Sequence, residues 1–144
     1  MTANPGTIQI RVATPDDLKA VDGIQRACPE AAHWKVAEYL GQEFQVAIVE
    51  NRVGGFIVTR RVAPDEREIL NLAVAPELRR KGVARALLLR SLEGFTGSVF
   101  LEVRESNQAA INFYKSHNFQ EVSRRVNYYQ IPDESAIVMK FHSC

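Results

Sequence analysis

The sequence has few of the residues that build disulfide frameworks, metal centres or membrane spans. Its two cysteines, Cys28 and Cys144, have no Cys or His nearby at metal-ligand spacing, which argues against a disulfide framework. The three histidines are isolated from one another: His33, His117 and His142. They support neither a zinc site nor a serine-histidine relay. We therefore expect reduced thiols, no metal and a cytoplasmic protein.

Long apolar runs and an excess of one charge are also lacking. No uncharged stretch approaches the roughly 18 residues of a membrane span, and residues 1–9 carry no basic segment followed by a long apolar run. The 18 basic and 17 acidic residues give a formal net charge of +1, so no global field would hold nucleic acid or an anionic membrane. Neither is expected as a partner, and any anion site must be local.

Apolar periodicity predicts one α/β domain over residues 1–144, with the element order β-α-α-β-β-β-α-β-α-β-β. The predicted strands cover residues 8–12, 44–49, 55–59, 69–74, 98–103, 122–129 and 136–141. The first helix follows the N-cap signal of Thr14 and Pro15 and is limited by Pro29. A weaker helix is expected over residues 34–42, and two others over residues 83–93 and from the N-cap Asn107 to about residue 116.

A basic loop follows the most apolar strand. Three consecutive cations precede a glycine and small residues at the start of a predicted helix: Arg79, Arg80, Lys81, Gly82, Val83 and Ala84. Unpaired backbone N–H groups and the helix dipole favour an anion there. The alternative is a solvated basic turn. The loop lacks the endings of a P-loop and of a dinucleotide fingerprint.

Two further residues have both a structural and a chemical interpretation. Glu102 lies within an otherwise apolar strand, where it would either act as a general base or pair with Arg104 or Arg125. Tyr114 shares one helix face with Asn107, and it is either a core residue or a proton donor. Tyr128 and Tyr129 also have two interpretations: they are either packing residues or residues that line a substrate groove.

Taken together, these segments resemble the GNAT superfamily of acetyltransferases. The matching residues are Leu72-Ala73-Val74, the loop 79–85, Leu101-Glu102-Val103-Arg104-x-Ser106-Asn107 and Ala110-x-x-Phe113-Tyr114-x-x-x-x-Phe119. Within that superfamily the chain looks most like the RimI type, over residues 69–139. The resemblance implies a single-domain GNAT fold, with a central mixed sheet of about seven strands flanked by about four helices.

The resemblance also implies acetyl-CoA as cosubstrate and assigns roles residue by residue. The Arg/Gln-x-x-Gly-x-Gly/Ala loop would bind the pyrophosphate through Arg79, Gly82 and Ala84, with Arg80, Lys81, Val83 and Arg85 beside them. The strand residues Leu72, Ala73 and Val74 would pair with the pantetheine arm, and Asn107 would contact the cofactor. Glu102 would be the general base and Tyr114 the general acid, with Glu68 as a second candidate base.

The acceptor implied by the RimI type is the N-terminal α-amine of a protein, such as a ribosomal protein. Two departures weaken that implication: a short predicted loop at residues 130–134 before Ser135, and the wide separation of Pro29 from Trp34. A small-molecule amine is the alternative acceptor, although Arg104, Arg124 and Arg125 argue against a cationic one. A non-catalytic acyl-CoA-binding module is the alternative outside enzymes.

Overall fold

The computed structural model describes residues 7–29, 34–130 and 133–143. In these ranges the chain forms seven strands and three α-helices. The strands are β1 (Ile8–Val12), β2 (Glu43–Val49), β3 (Arg52–Ala63), β4 (Glu66–Val74), β5 (Gly97–Arg104), β6 (Gln120–Gln130) and β7 (Asp133–Ser143). The helices are α1 (Leu18–Ala27), α2 (Val83–Leu92) and α3 (Gln108–Ser116). Short 3-10 segments cover Pro15–Asp17, Val36–Gly41 and Pro76–Leu78.

The strands form one mixed sheet in the order β1-β2-β3-β4-β5-β7-β6. Strands β4 and β5 are parallel, whereas β1 with β2, β2 with β3, β5 with β7 and β6 with β7 are antiparallel. The α/β fold and the number of strands are as predicted from the sequence. No helix in the described ranges is long and apolar enough to cross a membrane.

The chain divides into two compact units. The first comprises Met1–Arg60 with Leu70–Gly94, and the second Arg61–Ile69 with Phe95–Cys144. Helices α1 and α2 belong to the first unit, and α3 with β5, β6 and β7 belongs to the second. A single domain over residues 1–144 remains a prediction.

Local chemistry explains where α1 begins. The backbone N–H of Thr14 donates to Oδ2 of Asp17 at 2.8 Å, and Arg11 Nη1 donates to the same oxygen at 2.7 Å. The arginine holds the pKa of Asp17 at about 2, so the carboxylate stays charged beside the positive end of the helix. Thr14 is an N-cap as predicted, but the turn that follows it, Pro15–Asp17, is a 3-10 segment, and α1 begins at Leu18.

The weaker helix expected over residues 34–42 is a 3-10 segment, Val36–Gly41. Its buried residue is Tyr39, whose ring lies 5.5 Å from Phe44 and 5.8 Å from Phe56 between centroids. A six-residue segment gains little from the longer α-helical ladder. Packing of one aromatic ring therefore accounts for this segment better than helix propensity does.

The register of β5 decides the orientation of Glu102. Gly97 has φ 136°, and a side chain there would clash with the carbonyl oxygen of Asp65. That oxygen accepts the N–H of Ser98 at 2.9 Å, which begins the parallel pairing with β4. From this start, alternate residues are buried on one face, and Phe100, Glu102 and Arg104 are half-buried on the other.

Candidate functional site

The basic loop of residues 79–85, in the first unit, has the backbone geometry of an anion site. Arg80 has φ 65° and Gly82 has φ 82°, and the left-handed region is uncommon for an arginine. Such backbone turns successive N–H groups toward one side. Helix α2 follows directly, and its N-cap Gly82 offers no side-chain hydrogen bond. The cationic side chains of the loop are exposed: Arg79, Arg80, Lys81 and Arg85.

A buried thiol links this loop to the end of β4. Arg79 Nη2 donates to Sγ of Cys28 at 3.2 Å, and the thiol lies 3.5 Å from the carbonyl oxygen of Val74, to which it donates. Cys28 is a reduced cysteine that is 2% exposed. The C-terminus of α1 thus fixes residues on both sides of the Pro76–Leu78 turn. No pattern in the sequence indicates this role of Cys28, and Cys144 lies outside the described residues.

A buried polar network supports Leu72 on β4. Oδ1 of Asn71 accepts the N–H of Leu72 at 2.9 Å, while Nδ2 donates to the hydroxyl of Tyr39 at 3.1 Å. That hydroxyl donates to Gln25 Oε1 at 2.5 Å, and Gln25 Nε2 donates to the carbonyl of Trp34 at 2.6 Å. Burial raises the pKa of Tyr39 to about 12, so the phenol remains a donor. The network joins α1 and the 3-10 segment to the predicted pantetheine strand.

In the second unit, Glu102 already holds a cation. Its Oε1 accepts a hydrogen bond from Nη1 of Arg125 at 2.5 Å, and the two side chains are 19% and 52% exposed, respectively. The guanidinium carbon of Arg125 lies 4.0 Å from the centroid of the Tyr128 ring. Of the two partners that the sequence suggested for Glu102, the structure selects Arg125 for this ion pair.

The carboxylate of Glu102 also affects the pKa of Tyr128. The charge of Glu102 is the largest of the causes that raise the pKa of Tyr128, followed by burial and a hydrogen bond to Glu102. The charge of Glu68 adds a smaller effect in the same direction. Glu68 is the register partner of Phe100, so Glu68 and Glu102 share one face of the sheet. The negative charges of both candidate bases therefore favour the protonated form of Tyr128.

A second arginine-tyrosine pair lies beside the first. The guanidinium carbon of Arg104 is 4.1 Å from the Tyr129 centroid, and its Nη1 donates to Glu134 Oε1 at 3.3 Å. The backbone N–H of Ser106 donates to the other Glu134 oxygen at 2.5 Å. A hydrogen bond from the Ser106 side chain is the largest cause that lowers the pKa of Glu134. Glu134 belongs to β7, so the predicted loop over residues 130–134 is shorter than expected; Ile131 and Pro132 lie outside the described residues.

Helix α3 presents the last two predicted site residues. Oδ1 of Asn107 accepts the N–H of Ala110 at 3.2 Å, which confirms the predicted N-cap. Tyr114 is 6% exposed, and its ring lies 5.2 Å from both Phe113 and Phe119. Burial raises the pKa of its hydroxyl well above the ordinary tyrosine value, so the phenol holds its proton at any physiological pH.

The structure therefore brings the predicted site residues together in two groups, one in each unit. The first group contains the loop 79–85 and the strand residues Leu72, Ala73 and Val74. The second contains Glu102, Asn107 and Tyr114, with Glu68 on its portion of β4. Sequence reasoning missed the network of Gln25, Tyr39 and Asn71. An asparagine inside an apolar strand was its one available signal.

Residues 16–119 match the family model described as Acetyltransferase (GNAT) family. The chain belongs to that family, and its mixed sheet with flanking helices is the GNAT fold. This confirms the family that the motifs predicted.

Particular relatives support the RimI-type similarity. The [Ribosomal protein bS18]-alanine N-acetyltransferase of Salmonella typhimurium is 31% identical over 141 residues, covering 90% of this chain and 94% of that protein. The protein of the same name from Escherichia coli K12 is 39% identical over 94 residues, which span 61% of this chain and 63% of that protein's length. Among solved structures, Ard1 from Thermoplasma volcanium superposes with a TM-score of 0.87 at 31% identity, covering 95% of this chain and 98% of that one.

Proposed function

We propose that this chain is a cytoplasmic, acetyl-CoA-dependent N-acetyltransferase that acetylates the α-amine of a protein N-terminus, such as that of a ribosomal protein. The observation that carries the proposal is Glu102, a carboxylate on the half-buried face of β5 that engages a cation. A carboxylate that binds a guanidinium in this position can also bind an ammonium ion. The names of the bS18-alanine relatives point to the same class of acceptor.

The cosubstrate site in this proposal is the first group of residues. The left-handed Arg80 and Gly82, the uncapped start of α2 and the exposed cations of the loop fit a pyrophosphate. Leu72, Ala73 and Val74 would pair with the pantetheine arm, and a backbone N–H near Val74 would stabilise the oxyanion. Acetyl-CoA would supply the acyl group as a thioester.

The transfer step uses the second group of residues. Glu102 accepts a proton from the acceptor ammonium, directly or through a water, so that the neutral amine can attack. A carbon–nitrogen bond forms to the acetyl carbon, and the bond from that carbon to sulfur breaks. Tyr114 donates its proton to the leaving thiolate; its phenol is protonated at neutral pH, since burial raises its pKa above the ordinary tyrosine value. Asn107 would contact the cosubstrate from the start of α3.

The choice of acceptor rests on the relatives more than on charge. Arg104, Arg124 and Arg125 argued against small cationic amines in the sequence, but each pairs with a glutamate: Glu134, Glu105 and Glu102, respectively. Such pairs leave no excess of positive charge from these three residues. Small amines therefore belong in the same assay as peptides.

Mass spectrometry of peptides and small amines incubated with acetyl-CoA tests the acceptor. Selective modification of alanine N-termini is the expected result. Acetylation only of lysine side chains or of small amines would reject the N-terminal α-amine as the acceptor. Binding of acetyl-CoA without any transfer would favour a non-catalytic acyl-CoA-binding module.

Paired glutamine variants test the base. Glu102→Gln should lower the turnover rate by about 10²–10⁴-fold and leave the acetyl-CoA dissociation constant unchanged. Glu68→Gln is the matched control, because it removes a carboxylate from the same sheet face on the neighbouring strand. A loss of turnover confined to Glu68→Gln would identify Glu68 as the general base. Wild-type turnover in both variants would reject a carboxylate base.

A further inference from the structure

The groups around Arg125 are the groups that would bind an amine. A carboxylate oxygen of Glu102 lies 2.5 Å from the guanidinium, and the Tyr128 ring lies 4.0 Å below its central carbon. An anionic oxygen together with an aromatic face attracts any organic cation, whether a guanidinium or an ammonium. Arg125 therefore fills a cation site that the chain itself supplies.

The contact between Arg125 and Glu102 joins two strands that are not neighbours in the sheet. Arg125 on β6 is opposite Ala136 on β7, which is itself opposite Arg104 on β5. Glu102 is opposite Val138, two positions farther along β7. The Arg125 side chain thus extends diagonally across the β7 backbone to meet Glu102 on the same sheet face.

The ion pair is also easy to open. Half of the Arg125 side chain is exposed, at 52%, so the guanidinium is already partly hydrated and can turn into water at little cost. Exposed ion pairs of this kind contribute little to stability. The carboxylate is the more buried partner, with 19% exposure, and it remains in place for another cation.

We propose that Arg125 occupies the position of the acceptor ammonium and is displaced by it, so that Arg125 lowers the affinity of this site for amines. This inference rests on the proposed function, in which Glu102 receives the ammonium. Arg125 acts through competition for one carboxylate, and it makes binding selective for amines that gain further contacts elsewhere on the enzyme. Its removal should therefore strengthen amine binding, whereas removal of a residue that merely holds Glu102 in place should weaken it.

Calorimetry on the full chain saturated with CoA tests the sign of the effect. The probes are a short peptide with a free N-terminal alanine and the same peptide already acetylated at its N-terminus. Arg125→Met should bind the free peptide about three- to fivefold more tightly than the wild type. Arg125→Lys, which keeps the charge, should return the affinity toward the wild-type value. The acetylated peptide carries no ammonium and should bind all variants alike.

Arg124→Met is the matched control. Arg124 is the preceding residue on β6, has 54% exposure and pairs with Glu105 at 2.6 Å, so its loss removes a similar ion pair without freeing Glu102. Unchanged peptide affinity in this variant is expected. Weaker or unchanged binding of the free peptide to Arg125→Met would overturn the proposal, as would an equal gain in Arg124→Met or with the acetylated peptide.

Acetyl transfer by the wild type is measured separately from binding. A gain in peptide affinity for Arg125→Met without any transfer would reject the proposed activity and keep the ammonium site. Acetyl transfer by the wild type, without tighter peptide binding in Arg125→Met, would support the proposed activity and reject the competition between Arg125 and the acceptor ammonium.

Discussion

Removal of one hydroxyl, in Tyr114→Phe, should separate catalysis from stability. The Tyr114 ring packs 5.2 Å from both Phe113 and Phe119, and phenylalanine preserves these contacts. The side chain is 6% exposed, so the variant also avoids the cost of burying a hydroxyl. We expect the free energy of unfolding to change by less than about 1 kcal/mol. Turnover should fall by about 10²–10⁴-fold if the hydroxyl protonates the leaving thiolate.

The pH dependence of turnover follows from the same burial. A general acid works only while it is protonated, and burial raises the Tyr114 pKa above its ordinary value. Turnover that depends on this proton should therefore stay level as the pH rises through about 10, the pKa of an unperturbed tyrosine. An alkaline decline with a midpoint below that pH would have to come from another group.

The assay is the release of CoA thiol at saturating acetyl-CoA and peptide, beside chemical denaturation of each variant. Tyr39→Phe is the matched control, because it also removes a buried phenol. That hydroxyl donates to Gln25 and accepts from Asn71, so its loss should cost about 1 kcal/mol of stability with little effect on turnover. Turnover of Tyr114→Phe within twofold of the wild type would refute the proton-donor role. Equal losses of turnover in both tyrosine variants would refute it as well.

Two other predictions concern stability and the basic loop. Asp17→Asn should lower the free energy of unfolding by about 1–2 kcal/mol at pH 7, because Arg11 holds the pKa of Asp17 at about 2 and is itself 40% exposed. A carboxyl group with a lowered pKa stabilises the fold at pH values above its ordinary pKa. The difference in free energy of unfolding between the variant and the wild type should therefore shrink as the pH falls from about 4 toward 2. Denaturation curves that show the same difference at every pH would contradict the ion pair. Gly82→Ala should cost about 1–2 kcal/mol and weaken acetyl-CoA binding, since Gly82 has φ 82°. The control Gly23→Ala, inside α1 with open space around it, should instead stabilise by about 0.5–1 kcal/mol and leave calorimetric acetyl-CoA binding unchanged.

Features that depend on neighbouring residues could be predicted from the sequence. Strand β1 has the predicted bounds, and Thr14 and Asn107 precede helices as expected. Strand alternation, N-caps and turns each depend on residues within about four positions of the element that they start or end. The resemblance to the family implied roles for Glu102 and Tyr114, because the order and spacing of the matching residues are themselves sequence features; those roles stay predictions.

Contacts across the sheet could not be derived in the same way. Arg104 is two residues from Glu102 on one strand, and Arg125 is far away in the sequence, yet Arg125 forms the 2.5 Å contact. The reason is the strand order, which places β7 between β5 and β6. The sequence indicates strands by their periodicity but does not say which strands are neighbours. The contact of the Cys28 thiol with Arg79 likewise joins residues 51 positions apart in the sequence.

The pairing of the arginines changes how the acceptor site is understood. In the sequence, Arg104, Arg124 and Arg125 suggested a groove that repels cations, but each pairs with a glutamate. Under the proposed competition, Arg125 is a replaceable cation in this site. Glu102 and Glu68 share one face of the sheet, and the Tyr128 ring lies 4.0 Å from the Arg125 guanidinium carbon, so displacement of that guanidinium would leave an anionic, aromatic environment for an ammonium group. The acceptor must then gain enough from contacts beyond its amine to replace Arg125. A protein N-terminus, with a chain that continues past its α-amine, offers more such contacts than a small amine does.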